Sequence, residues 1–368
     1  MESKQIQKAG DGSQQIQAQN VYIANGISEQ RVREICSEVA VTAISNNSME
    51  ATGIAMQRIE RFVDLLLPRI QRIEKDFESF SDPAFQVLLQ KAQLTAICTE
   101  RECDYSILSE LLAHRINNKS NTKKKASIAK AVEIIDQVDD DSLCAITVLH
   151  AVTNFVPLSG NILGGIEALA TLYDKLDYEN LPKDKNWVDN LSILGCMTTT
   201  PFFSPNSFEE RFCKALDGYM CVGLKKDSEE YHKALILLND HRISNEILVD
   251  HELNDGYVRL QIPQKGRIDE LQYTTVSIVN GVKCYIDHNA PEEQKKCLMD
   301  IYNMYSNDAT LQNQVKNKFI DILMSYNSIK AISTWWNDFN TSFALTSIGR
   351  VIAHANAQRI DNTLPNMD

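Results

Sequence analysis

Apolar positions recur at helical spacing through most of the chain. From Ser28 onward, Val32, Ile35, Val39 and Ile44 mark one face, and Ser28 reads as an N-cap with Glu29 in the first turn. After Asn46-Asn47-Ser48 a longer helix begins. Its Met56, Ile59, Val63, Leu66, Ile70, Ile73, Phe77 and Phe80 follow a 3-4-3-4 rhythm, the spacing of a coiled-coil seam. Phe62 and Leu67 widen that stripe, as in a helix packed inside a globular domain, and core packing is the preferred reading. Pro68 lacks a backbone donor, so a kink or break is expected there. Further helices are predicted over about 84–98, 104–117, 122–138 and 141–155. Asp139-Asp140-Asp141 supplies the turn and cap between the last two, and another helix follows Ser159 through ILGGIEALATLYDKL. No fixed period turns these helices into a repeat array.

Two stretches depart from the helical pattern. The run AGDGSQQIQAQNVYIANGI carries Gly10, Gly12 and Gly26. Ile16 and Ala18 alternate with glutamines, and Val21-Tyr22-Ile23 follows Asn20, which suggests two short strands. A two-stranded unit is marginal alone, and its edges and Gln/Asn side chains favour stacking between copies. Ile16, Ala18, Val21, Tyr22 and Ile23 are therefore candidate oligomerisation residues. A polar tail without fixed structure fits the same composition. The second departure follows the breaker-rich segments PKDKNW and TTTPFFSPNS, which read as surface loops, and a return to helix over 211–240. Val258, Leu260 and Ile262 alternate with Arg259 and Gln261. Asn254-Asp255-Gly256 is a turn candidate opposite Ile247-Leu248-Val249, and Asn280-Gly281 sits inside YTTVSIVNGVKCYI, a hairpin signal. Helices then resume from Pro291 to about Gln358. The fold class expected is mainly α: a multi-helix array with a short N-terminal β segment and a small antiparallel β insert near 245–288. Residues 1–27 are expected to form the assembly segment, 28–240 a helical domain, 241–290 the β insert and 291–368 a C-terminal helical region.

Composition narrows the setting. The chain has 368 residues, enough for two or three domains. Lys and Arg total 37 against 49 acidic residues, a net charge of −12, so an extensive nucleic-acid surface is disfavoured. The nine cysteines form no CxxC pair, which fits core thiols in a reducing cytosol. No apolar signal core opens the chain and no stretch approaches the roughly 18 apolar residues of a membrane span. A cytoplasmic location follows as the expectation.

Motifs for chemistry are mostly missing. The sequence holds no GxxxxGK[ST], GxGxxG, HExxH or GxSxG pattern, and no cofactor or metal is expected. Gly160, Gly164 and Gly165 read as loop and helix-packing residues. His251 and Glu252 near Asp250, together with His288, would meet if the insert folds back, and such a trio could act as an acid/base pair or bind a divalent metal. Polar turn residues on a loop-rich surface are the commoner role for such side chains. Lys123-Lys124-Lys125 is the one compact basic run. It stands at a helix start, where positive charge opposes the helix dipole; it marks either a contact with an acidic partner or a solvated helix end. Trp335 and Trp336, with Phe339, are candidates for partner binding, since adjacent helical residues point about a hundred degrees apart, although core burial of both is the preferred reading.

The segment AGDGSQQIQAQNVYIANGISEQRVREI resembles the opening of an uncharacterised bacterial family. LLAHRINNKSNTKKKASIAKAVEIID and FALTSIGRVIAHANAQRI are similar to its middle and its closing helix. Variants of the Gly-Asp-x-Ser-x-x-Ile-Gln-Ala element also precede other helical domains in bacterial conflict proteins. The resemblance implies a bacterial cytosolic protein linked to anti-phage defence, and it supplies no catalytic residues. This chain ends in LPNMD, whereas the family is associated with an apolar end.

In the closing segment, Leu345, Ile348 and Ile352 form a stripe beside Ala344, Ser347, Gly349, Ala353, Ala355 and Ala357, small residues that permit close helix packing. The functional expectation is a non-enzymatic interaction or assembly protein that forms homo-oligomers and recognises a protein partner or phage component. The alternatives are a hydrolase or nuclease using the His and acidic residues around 240–290, and a membrane-perturbing effector with a hidden apolar helix.

Overall fold

Helices form where the apolar stripes lie. The computed structural model describes residues 27–45, 48–118, 120–200, 206–279, 282–339 and 342–367; the proposed N-terminal assembly residues Ile16, Ala18, Val21, Tyr22 and Ile23 lie outside them. Helix α1 (Glu29–Ile44) starts at Ser28, whose hydroxyl accepts the Arg31 N–H, and buries Val32, Ile35, Cys36, Ala40 and Ile44. Helix α2 (Met49–Ile73) is capped in the same way by Ser48 and continues through Pro68. The expected break is absent. Pro68 is exposed, as is Asp64, whose carbonyl lacks its usual donor, so water can take that bond. The heptad rhythm outlasts the helix. Phe77 adopts a left-handed conformation (φ 49°) and Phe80 lies in a 3-10 turn, Glu78–Ser81. Both rings are buried, and Phe80 meets Phe85 edge-on at 5.1 Å.

Helices α3 (Pro83–Cys98), α4 (Glu102–Asn117), α5 (Thr122–Ile134), α6 (Asp140–Asn154) and α7 (Ile162–Lys175) follow as the periodicity predicts. Beyond them come α8 (Asn186–Ile193), β1 (Met197–Thr200), α9 (Phe208–Ala215), α10 (Asp217–Met220), β2 (Leu224–Lys225), α11 (Glu229–Asp240), β3 (Leu248–Asp250), β4 (Tyr257–Leu260), β5 (Gln272–Val279) and β6 (Val282–Asn289). The chain closes with α12 (Glu292–Asn303), α13 (Ala309–Leu323), α14 (Asn327–Asn337), β7 (Ser342–Leu345) and α15 (Ser347–Ile360). The protein is mainly α with small antiparallel sheets.

The β elements differ from the expectation in three ways. Thr198–Thr200, read as loop residues, belong to the strand Met197–Thr200, which pairs antiparallel with Ser342–Leu345. Its partner stands far along the chain, and Phe343, Ala344 and Leu345 therefore extend rather than open the closing helix. The β insert near 245–288 is two separate sheets. One is three-stranded in the order β2-β4-β3, with β2 drawn from before residue 241. The other is the β5–β6 hairpin, whose register runs from Gln272↔Asn289 to Val279↔Val282.

Buried apolar side chains gather in two clusters. The larger spans α1 to α10 and α13 to α15. The smaller joins β2, α11, β4 and α12 through Leu224, Ala234, Leu238, Val258, Leu260, Leu298 and Ile301. Helix α15 lies against α4, α5 and α6, and every residue from Val351 to Gln358 is buried. Ala353, Ala355 and Ala357 let its backbone approach those neighbours closely, while Val351 and Ile352 each contribute about 1.5–3 kcal/mol by burial. Among the described residues no helix is long and apolar enough to cross a membrane.

Candidate functional site

The structure spends His251 and Glu252 on holding the fold together. Glu252 follows β3, and its carboxylate accepts the N–H groups of Ile162 (2.5 Å) and Leu163 (3.3 Å). Helix α7 has no side-chain cap of its own from Asn161, so Glu252 caps it from the other cluster. The fully buried Arg259 lies 3.5 Å from Glu252, donates to the carbonyls of Gly160 and Leu260, and sits 5.4 Å over the Tyr219 ring. His251 is equally committed: Nε2 donates to the Cys221 carbonyl at 2.7 Å, and Nδ1 accepts the Leu253 N–H at 3.2 Å. Burial pushes its pKa down to about 4, so the ring is neutral at physiological pH. His288 is elsewhere on its own hairpin, bonded to Thr275 Oγ1 at 2.9 Å and stacked on Tyr273 at 5.2 Å. Among the described residues, no hydrogen bond or ring contact joins it to His251 or Glu252, and no group of three or more His, Cys, Asp and Glu side chains is placed to hold a metal ion.

The tryptophans divide as their spacing suggests. Trp336 is buried and donates from Nε1 to the Asn206 carbonyl at 3.0 Å. Trp335 is half-buried, donates to the Pro182 carbonyl at 2.9 Å, and packs against Trp187 and Phe339. It lines a recess of about 350 Å³ with Tyr178, Leu181, Pro182 and Phe339.

The basic run leads to a different place. Helix α5 begins at Asn121, whose side chain accepts the Lys124 N–H at 3.0 Å. That cap sets Lys123, Lys124 and Lys125 into the first turn, where each positive charge costs about 0.3–1 kcal/mol against the helix dipole. Helix α15 begins nearby at Thr346. The hydroxyls of Ser127 and Ser347 meet at 2.9 Å, tying the starts of the two helices together, and Arg350 stands one turn into α15. These residues open onto a cleft of about 630 Å³. Its lining includes Lys123, Lys124, Ser347 and Arg350, with His150 and Phe155 from the end of α6, and among the described residues it contains no carboxylate. Among the described residues no acidic group pairs with Lys123, Lys124 or Arg350, although the chain as a whole is acidic.

A chain of hydrogen bonds runs through the lining of this cleft. Asn154 Nδ2 donates to His150 Nδ1 at 3.1 Å, His150 Nε2 donates to His354 Nδ1 at 3.0 Å, and His354 Nε2 donates to the Pro365 carbonyl at 3.0 Å. In this direction His150 accepts at Nδ1 and donates from Nε2, the pattern of a neutral ring. Burial is the main force holding His150 neutral, with His354 and Arg350 adding to it, and its pKa falls to about 3. His114 Nε2 donates to Gln358 Oε1 at 2.5 Å, and Gln358 in turn donates to the Leu364 and Pro365 carbonyls. Residues 364–367 thus lie as a strap along one wall, and Lys124 Nζ reaches the Met367 carbonyl at 3.3 Å. The lysine run was visible in the sequence; the contribution of Arg350 and the histidines was hidden inside a stretch that reads as a packing helix.

A model of an uncharacterised protein family matches residues 26–368. Neither a curated protein nor a solved structure matches the chain.

Proposed function

The chain belongs to that uncharacterised family over residues 26–368, and from this premise we propose that it is a non-enzymatic interaction protein whose helical body holds a phosphate-class anion in the cleft between α5, α6 and α15. One observation carries the reading: Lys123, Lys124 and Arg350 line a cleft that holds no carboxylate among the described residues, on a chain of net charge −12. An anion seated there meets two helix starts and relieves the unfavourable charge at the head of α5. Binding rather than turnover suits the surroundings, because His150 is held neutral and its two nitrogens are already engaged.

In the same proposal the N-terminal strands join copies of the chain, and weak contacts at each cleft add through multivalency. The bacterial, defence-linked setting suggested by the sequence resemblance belongs to this proposal too. Calorimetric titration of the full chain with inorganic phosphate tests the cleft. The expected dissociation constant is roughly millimolar, rising with salt and rising about fivefold or more in Arg350→Ala and Lys124→Ala. Affinity unchanged in both variants would overturn the reading.

A further inference from the structure

The basic cleft has an apolar neighbour. A second open cavity of about 740 Å³ lies along α7 and shares Asn154, Phe155 and Pro365 with the first as a common rim. Its lining carries an aliphatic group, Val156, Pro157, Leu158, Ala168, Leu169 and Leu172, alongside the charged side chains of Glu167, Lys175, Arg267 and Asp361. Leu158 is 68% exposed. Lys175 and Asp361 of this lining form an ion pair at 2.7 Å. A cavity with one cationic compartment and one aliphatic compartment is complementary to a ligand divided in the same way.

Building on the anion-binding reading, we propose that the two cavities together take an aliphatic phosphomonoester, its phosphate between Lys124 and Arg350 and its hydrocarbon chain across Phe155 into the α7 cavity. The lining favours a chain over a nucleobase. Phe155 is the one aromatic ring in the aliphatic compartment, and it is held by edge contacts to His150 (5.3 Å) and a tilted contact to His354 (5.8 Å). Base recognition relies on stacking against open aromatic faces and on hydrogen bonds to base edges, whereas hydrocarbon needs only aliphatic surface to leave water.

Titration of the full chain with inorganic phosphate, butyl phosphate, octyl phosphate below its micellar concentration, and adenosine monophosphate tests this. Affinity should rise from phosphate to butyl to octyl phosphate, by as much as roughly fourfold per methylene buried. Leu158→Ser, a change at an exposed position, should weaken octyl phosphate while leaving inorganic phosphate unchanged; Arg350→Ala should weaken both. Phosphate that binds without any gain from the alkyl chain would overturn this inference and leave the cleft reading standing. Adenosine monophosphate binding more tightly than octyl phosphate would also overturn it. No binding by any probe would sink both. Co-sedimentation with phosphatidylcholine vesicles containing phosphatidic acid separates the sources: retention points to a bilayer headgroup, and binding of the free alkyl phosphate alone points to a soluble ligand.

Discussion

Two polar clusters in this molecule are built from similar residues and put to opposite use. Around Glu252, the carboxylate faces a helix start, a buried guanidinium lies beside it, and both terminal nitrogens of that guanidinium are directed at carbonyl or carboxylate oxygens of the chain. Around Lys124 and Arg350, cations crowd two helix starts and no acidic side chain answers them among the described residues. The first arrangement completes the helix dipole of α7 from within; the second leaves that of α5 opposed. Titratable residues therefore mark a site only where their charge is left over after folding.

The largest effect that would break this comparison is at Arg259. Arg259→Ala leaves Glu252 without its buried partner and should lower stability by about 3–5 kcal/mol, read from the urea midpoint. A loss under 1 kcal/mol, on the order of a surface pair, would mean that Glu252 and Arg259 are not the join between the two clusters.

Acid should sharpen it next. His251 has a folded-state pKa near 4 against an ordinary value near 6.5. Above pH 6.5 the ring is neutral both folded and unfolded, and its full stability is present. As pH falls from about 6.5 towards 4, the unfolded chain takes up a proton that the folded chain refuses, and stability drops by up to about 1.4 kcal/mol per pH unit. His150, with a pKa near 3, extends the same loss further down. Urea unfolding at a series of pH values should show this slope reduced in His251→Gln; an unchanged slope would contradict the assignment.

The smallest effect separates the clusters most cleanly. Lys124→Ala should change stability by no more than about 0.5 kcal/mol, and in the stabilising direction, because it removes a cation from a helix start. A loss above 1 kcal/mol would show that Lys124 is structural like Arg259, and that its bond to the Met367 carbonyl matters more than its charge.

The helical body was legible because its signals are local. Ser28 and Asp139 cap the helices they were expected to cap, the long helix begins after Ser48 as expected, and the 3.6-residue stripes bury the faces they mark. Pairings between distant segments were not legible. Thr198–Thr200 look like loop residues until Ser342–Leu345 lies beside them, and Lys225 gives no hint that it joins Tyr257. The same limit applied to the site. Lys123–Lys125 announced itself as a charge placed against a helix dipole, but nothing local in the sequence links Arg350 to that run. Only the fold sets it across the cleft from Lys124, and only the fold reveals that Glu252 is consumed by a helix start 90 residues before it.

The most direct test of the account is a crystal of the full chain soaked in tungstate, an electron-dense stand-in for phosphate. The account predicts an anomalous peak between Lys124 and Arg350, absent from a crystal of Arg350→Ala. A peak confined to other surfaces, with this cleft empty in the wild-type crystal, would contradict it.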